Sequence, residues 1–160
     1  KIKGTEDAKT IEPDEDYIIP FGKARTVIAA SEENTKAGKS MAVITYGMGV
    51  YWAKSAAKNF EGQVEIIDLR TLAPVDTEAM FEAAKKHNKV MVLTEEPVHN
   101  GFAQSIAARI QENCFQYLDA PVKVVGAENM PAIPLNSTLE KTMLPNAEKV
   151  SEEMRKLLAY

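Results

Sequence analysis

Asp68, Arg70 and Asp76 fall around Pro74 within one short stretch of the chain. A guanidinium presents a planar fork of donors that suits a carboxylate or a phosphate. The spacing predicts a charge network in which Arg70 holds this loop together through Asp68 or Asp76. Gly47-Met48-Gly49, with Asp68 21 residues after Gly47, is spaced like a dinucleotide pocket. The third glycine of that pattern falls at Trp52, whose indole bars the close helix–strand approach, so the tripeptide reads as a tight turn. Glu95, Glu96 and His99 are residue types of general acid–base chemistry. Successive residues of an extended segment point to opposite faces, which separates the two carboxylates. His87 closes a helix, where the dipole favours a cation. Cys114 lies on an apolar helix face as a small core residue. Two histidines and one cysteine without metal-ligand spacing argue against zinc. Neither a nucleophile elbow nor a phosphate-binding loop is present. These residues alone assign no catalytic, cofactor-binding or metal-ligating group.

Alternating strands and helices must position them. Thr26–Ala30, Ser40–Tyr46, Val64–Leu69, Val90–Thr94 and Val122–Val125 read as strands. Met48–Phe60 has helical spacing, with Gly62 as its C-cap. Asp76–His87 places Met80, Ala83, Ala84 and His87 on one face beneath an Asp76 cap. Phe102–Tyr117 follows the 3.6-residue period through Ala103, Ile106, Ala107, Ile110, Cys114 and Tyr117. Asn146–Ala159 closes the chain with Ala147, Val150, Met154, Leu157 and Leu158 inward. Strands that are apolar throughout are buried on both faces, as in a parallel sheet covered by helices. Only Ser31–Lys39, polar and without helical pattern, separates the first two strands, whereas a parallel crossover needs about a dozen residues. The first strand is therefore expected at an edge and antiparallel. The predicted class is α/β: a three-layer α/β/α sandwich on a mixed five-stranded sheet, mostly parallel. Such sheets bind ligands beyond the carboxyl ends of their strands. Tyr46, Met48, Tyr51 and Trp52 are expected to form an aromatic patch there with the Glu95–Gly101 loop.

Nineteen basic against 23 acidic residues leave a net charge of −4, without the footprint of a nucleic-acid binder. No apolar run approaches the ~20 residues of a membrane span. A single cysteine suggests a reducing compartment, and no signal-peptide pattern is present. The first residue is Lys1 rather than Met, which suggests a piece of a longer polypeptide. Six acids lie between Glu6 and Asp16, so Lys1–Asp16 is expected to be a linker or arm and residues 17–160 the domain. Tyr17-Ile18-Ile19-Pro20-Phe21 is expected to anchor the end of that arm.

Several runs occur in a specific order. They are Tyr17–Ala24, Ala42–Gly47, Glu65-Ile66-Ile67-Asp68-Leu69-Arg70-Thr71-Leu72-Ala73-Pro74-Val75-Asp76, Glu95-Glu96, Gly101–Ala107 and Leu118-Asp119-Ala120-Pro121-Val122. This order resembles the C-terminal domain of the E1 β subunit of 2-oxoacid dehydrogenase complexes, with the transketolase C-terminal fold, from about Tyr17 to Tyr160. The resemblance implies a thiamine diphosphate- and Mg²⁺-dependent enzyme that decarboxylates a 2-oxoacid and reductively acylates the lipoyl group of its E2 acyltransferase. Branched-chain 2-oxoacids are slightly preferred to pyruvate. The Gly-Asp-Gly that opens the cofactor motif of such enzymes is absent here, so the chain is expected to bind no cofactor and to be inactive alone. It would instead help to assemble subunits. The implied partners are its own upstream E1 domains, a second copy across a two-fold axis, and E2 near the C-terminus at Tyr160. Asp68, Arg70, Asp76, Trp52, Glu95, Glu96 and Tyr160 are the interface or structural candidates. The matching loop carries one Glu after a His, where this chain has Thr94-Glu95-Glu96, so no role passes to either Glu. The implied location is the bacterial cytoplasm or the mitochondrial matrix. The alternative is a free-standing ligand-binding module using the strand-end crevice.

Overall fold

In the computed structural model the structure describes residues 6–160, so the first five residues of the expected arm lie outside the described residues. Strand β2 (Met41–Thr45) is buried at all five positions, as a run without polar alternation requires. It pairs in parallel with β3 (Val64–Asp68) on one side and β4 (Val90–Pro97) on the other. β5 (Lys123–Ala127) continues in parallel beyond β4. β1 (Arg25–Ile28) runs antiparallel along β3, with a bulge between Thr26 and Ile28. The order β1-β3-β2-β4-β5 is the expected mixed sheet with an antiparallel first edge strand.

Helix α2 (Met48–Ala57) leads from β2 toward the β1 edge, whereas α3 (Thr77–His87) and α4 (Phe102–Cys114) lead the other way. Right-handed crossovers in opposite directions put their helices on opposite faces. The two cores follow from this. Met41, Val43, Ile66, Met91 and Leu93 pack on one face against α2 and α6 (Ala147–Leu158). Ala42, Ile44, Val90 and Val92 pack on the other against Met80 and Ala84 of α3 and Ile106, Ile110 and Cys114 of α4.

The structure departs from the expected elements at four places. Ser31 accepts the Asn34 amide and caps a short helix, α1 (Glu32–Lys36), which buries no residue and so leaves no periodic trace. α2 stops at Ala57, with Lys58 rather than Gly62 as C-cap. Gly62 serves a later turn at φ +69, where its carbonyl accepts the Ser31 amide at 2.8 Å. α4 gives way to a 3₁₀ turn at Phe115–Tyr117, because the Asn88 side chain takes the Tyr117 carbonyl. Tyr117 is thereby exposed, with the Lys85 ammonium over its ring. Helix α5 (Ser137–Met143), capped by Asn136, is unexpected; it buries only Met143 and has no apolar stripe to announce it.

Candidate functional site

The loop after β3 joins three parts of the chain through hydrogen bonds. Asp76 is buried, and both of its oxygens are used: Oδ2 accepts the Ala24 amide at 2.8 Å and Oδ1 the Ala79 amide at 3.1 Å. Burial raises its pKa, but the two amides and then the nearby Lys23 and Arg70 charges more than offset this and hold it below the ordinary aspartate value. Arg70 does not pair with either expected carboxylate. Its Nε and Nη2 donate to the Lys23 carbonyl at 3.0 and 2.7 Å, and its own amide donates to Asp68 at 3.1 Å. Arg70 sits at φ +57, a left-handed turn that sends the guanidinium back along the entering strand. Asp68 instead faces Arg25 at 3.7 Å. The network thus ties the entry to β1 onto the β3–α3 loop.

The entry segment itself is not anchored as expected. Tyr17, Ile18, Ile19 and Phe21 are exposed, Phe21 at 82%. From Tyr17 onward the first hydrogen bond to the domain is made by Gly22, whose amide donates to Thr71 Oγ1 at 2.8 Å. Because β1 is antiparallel, this apolar segment lies at the carboxyl end of the parallel strands. After β5, at the same end but the opposite edge, Met130, Ile133, Leu135 and Leu139 are exposed too.

Between these edges, the strand order reverses at β2 and β4, where a doubly wound sheet opens its ligand crevice. Here side chains fill it. Tyr46 Oη lies 2.9 Å from Thr94 Oγ1 and donates to Glu96 Oε1 at 3.1 Å. The same Glu96 oxygen accepts the Ala103 amide at 2.9 Å, capping α4 where Gly101 has no side chain to do so. Phe102 meets the Tyr46 ring edge-on at 6.5 Å. Burial raises the Tyr46 pKa; Thr94 opposes this and Glu96 adds to it. Glu95 points to solvent with His99, so the two carboxylates do diverge. Gly49 serves packing: a Cβ there would lie 2.1 Å from Thr45 Oγ1. Trp52 and Tyr51 do not join Tyr46 in one patch. Trp52 packs on the α2–α6 core and Tyr46 on the α3–α4 core.

At the amino end of the strands, His87 is fully buried. Its Nδ1 lies 2.7 Å from Ser40 Oγ, and its Nε2 lies 3.4 Å from Glu65 Oε2 without hydrogen-bond geometry. Lys86 Nζ donates to the same oxygen at 2.5 Å. Burial pushes the Glu65 carboxyl up, and contacts from His87 and Lys86 outweigh it, leaving a net lowering. Cys114 is buried in the core as expected, with its thiol pKa raised by burial. Tyr160, beyond α6, is exposed.

Residues 30–150 match the family model of the transketolase C-terminal domain. This chain belongs to that family. It is 37% identical over 151 residues to the 2-oxoisovalerate dehydrogenase β subunit of Bacillus subtilis, covering 92% of the chain and 44% of the relative. It is 36% identical over 155 residues to the pyruvate dehydrogenase E1 β subunit of Rickettsia conorii, covering 95% and 43%. The chain therefore spans less than half the length of these relatives. The fold also matches a split-gene transketolase solved as an inactive β4 tetramer, with a TM-score of 0.71 at 23% identity, over 91% of this chain and 44% of that one. Within this transketolase C-terminal domain, the Asp76 and Glu96 carboxylates each cap a helix and hold a second element against it. No signal in the sequence identified Tyr46 as the partner of Glu96, since 50 residues separate them.

Proposed function

We propose that this chain is the C-terminal assembly domain of the β subunit of a thiamine diphosphate-dependent 2-oxoacid dehydrogenase E1. The complete enzyme decarboxylates a 2-oxoacid, a branched-chain one slightly ahead of pyruvate as the reading of its substrate, and reductively acylates the lipoyl group of E2. It works in the bacterial cytoplasm or the mitochondrial matrix. The names of the two relatives support this substrate class. This chain contributes surface rather than chemistry: it packs on its own upstream domains, pairs with a second copy, and presents Tyr160 and its surroundings toward E2.

One observation carries the assembly reading. The switch-point crevice is plugged by Tyr46 and Glu96, while apolar side chains at both edges of the same end face solvent. The residues do not fit a diphosphate with Mg²⁺. The Ala103 amide that would receive a phosphate oxygen already holds the Glu96 carboxylate, and an anion beside that carboxylate is repelled. Exposed apolar clusters on a single chain mark contact surfaces. In a two-fold pair, the Tyr17–Phe21 edge of one copy meets a matching patch of the other.

Sedimentation equilibrium and calorimetry of the 160-residue chain with thiamine diphosphate and Mg²⁺ test this reading. Self-association without cofactor binding is expected, together with its loss in Phe21→Ser. Tight binding of thiamine diphosphate, NAD or a nucleotide, or thiamine-dependent turnover by the purified chain, would instead make it a free-standing ligand-binding module.

A further inference from the structure

Two apolar patches flank the carboxyl end of the sheet, and the assembly reading leaves open which patch of a second copy each one meets. Tyr17, Ile18, Ile19 and Phe21 are exposed beside β1, and Met130, Ile133, Leu135 and Leu139 are exposed beyond β5. Neither patch is loose. Just after the first, the Gly22 amide donates to Thr71 and the Ala24 amide to Asp76. Pro131 and Pro134 stiffen the second, and Asn136 Oδ1 accepts the Thr138 and Leu139 amides behind it. Helix α5 buries only Met143 in its own chain and holds Leu139 outward. Surfaces fixed in advance lose less entropy on contact.

We propose that the Tyr17–Phe21 patch of one copy covers the Met130–Leu139 patch of a second copy, twice, about a two-fold axis along the sheet normal through β2. This contact rests on the assembly reading and specifies its geometry. β2 is the middle strand of the order β1-β3-β2-β4-β5. With strand ends facing, a half-turn about that axis exchanges the β1 and β5 edges and sets each β4–α4 loop against the other copy's β3–α3 loop. The two patches sit about 20 Å apart across the sheet, so one second copy covers both at once. Four side chains in each patch supply about half of the ~800 Å² per partner of a standard interface, so a stable pair needs both. Charge selects this axis over the two-fold running from edge to edge, which would set each patch on its own counterpart. That alternative packs exposed Asp14, Glu15 and Asp16 against the same three acids and Glu95 against Glu95, and opposed like charges are costly. The proposed axis separates those acids. It also turns the solvent-facing Glu95 toward the second copy's Lys23 and Arg70, which meet at the β3–α3 loop.

Sedimentation equilibrium of the 160-residue chain tests this contact, with Phe21→Arg in the first patch and Leu135→Glu in the second. Both side chains are exposed, and thermal melting confirms that the variants fold. Each variant alone should associate roughly tenfold more weakly than the parent, as loss of an interface anchor does. Mixed in equal amounts, the two variants should associate more tightly than either alone. In the mixed pair, one contact keeps Phe21 on Leu135 and the other sets the introduced guanidinium on the introduced carboxylate. Weakening by Phe21→Arg with none by Leu135→Glu would overturn the proposal and leave the second patch to the upstream domains. No recovery on mixing would also overturn it, since each patch would then meet its own counterpart. In both cases the parent still self-associates, so the assembly reading survives. A parent chain that stays monomeric at the highest concentration would overturn both.

Discussion

Asp76→Ala removes a single carboxylate that serves both the start of α3 and the entry to β1. Two losses add. Without a side-chain cap, the helix gives up about 1 kcal/mol. The Ala24 amide, partly buried and 2.8 Å from Oδ2, loses its acceptor at a cost of about 1–3 kcal/mol. The sum is about 2–4 kcal/mol. For a chain of this length each kcal/mol moves the melting temperature by about 2–4 °C, so a fall near 9 °C is expected. Asp76→Asn should lose about 1–3 kcal/mol of this, because its single carbonyl still caps Ala79 while its NH₂ meets the Ala24 N–H as donor against donor. The pH dependence has a definite sign. The fold lowers the Asp76 pKa, so its stabilisation is complete above the ordinary aspartate value of about 3.9 and disappears as pH falls through the folded value. The gap in melting temperature between the parent chain and Asp76→Asn should be constant from about pH 5 to 7 and close below about pH 4. Thermal melts at several pH values and amide exchange at Ala24 provide the measurements. An alanine variant melting within about a degree of the parent at pH 7, with Ala24 still protected, would refute the joint.

Arg70→Ala should cost about 0.5–1.5 kcal/mol in urea unfolding, since the exposed Lys23 carbonyl exchanges a charged donor for water. Unchanged stability with weakened self-association would make Arg70 an interface residue instead. Gly49→Ala should destabilise by about 1–3 kcal/mol or more, because its Cβ meets Thr45 Oγ1 and the Leu93 carbonyl, whereas Gly47→Ala has room and suffers only its positive φ. Melting temperatures check this, and a Gly49→Ala variant melting within about a degree of the parent would refute close packing as the reason for Gly49. Glu65→Gln should destabilise at pH 7 by about 1–3 kcal/mol, as the buried His87 and the half-exposed Lys86 lose the charge they face. Because the Glu65 pKa is lowered by folding, that difference should shrink as pH falls below the ordinary glutamate value, and an increase toward acid would contradict the pairing.

The amino-acid sequence by itself determined the sheet and its four long helices. Met41–Thr45 has no polar residue that tolerates a solvated face except Thr45, whose hydroxyl finds the Leu93 carbonyl, so the strand had to be central. Asp76, Met80, Ala83, Ala84 and His87 specify α3 through a cap and a stripe, both of which are local signals. The short Ser31–Lys39 connection excluded a parallel neighbour for β1 on length alone. Tertiary structure decided what those elements bring together. Arg70 reaches Lys23 rather than a nearby acid because β1 returns antiparallel beside its loop, and that pairing joins residues 47 apart. Tyr46 plugs the crevice because β2 and β4 are neighbours in space with β3 between them in sequence. Trp52 and Tyr46 look like one patch in sequence, yet a helix and its preceding strand turn them to opposite faces of the sheet. Asp7 finds Lys54 through a contact with no local pattern at all. Periodicity and capping act within a few residues and are written in the chain, whereas register, strand order and crossover hand act across dozens of residues and exist only once the sheet has formed.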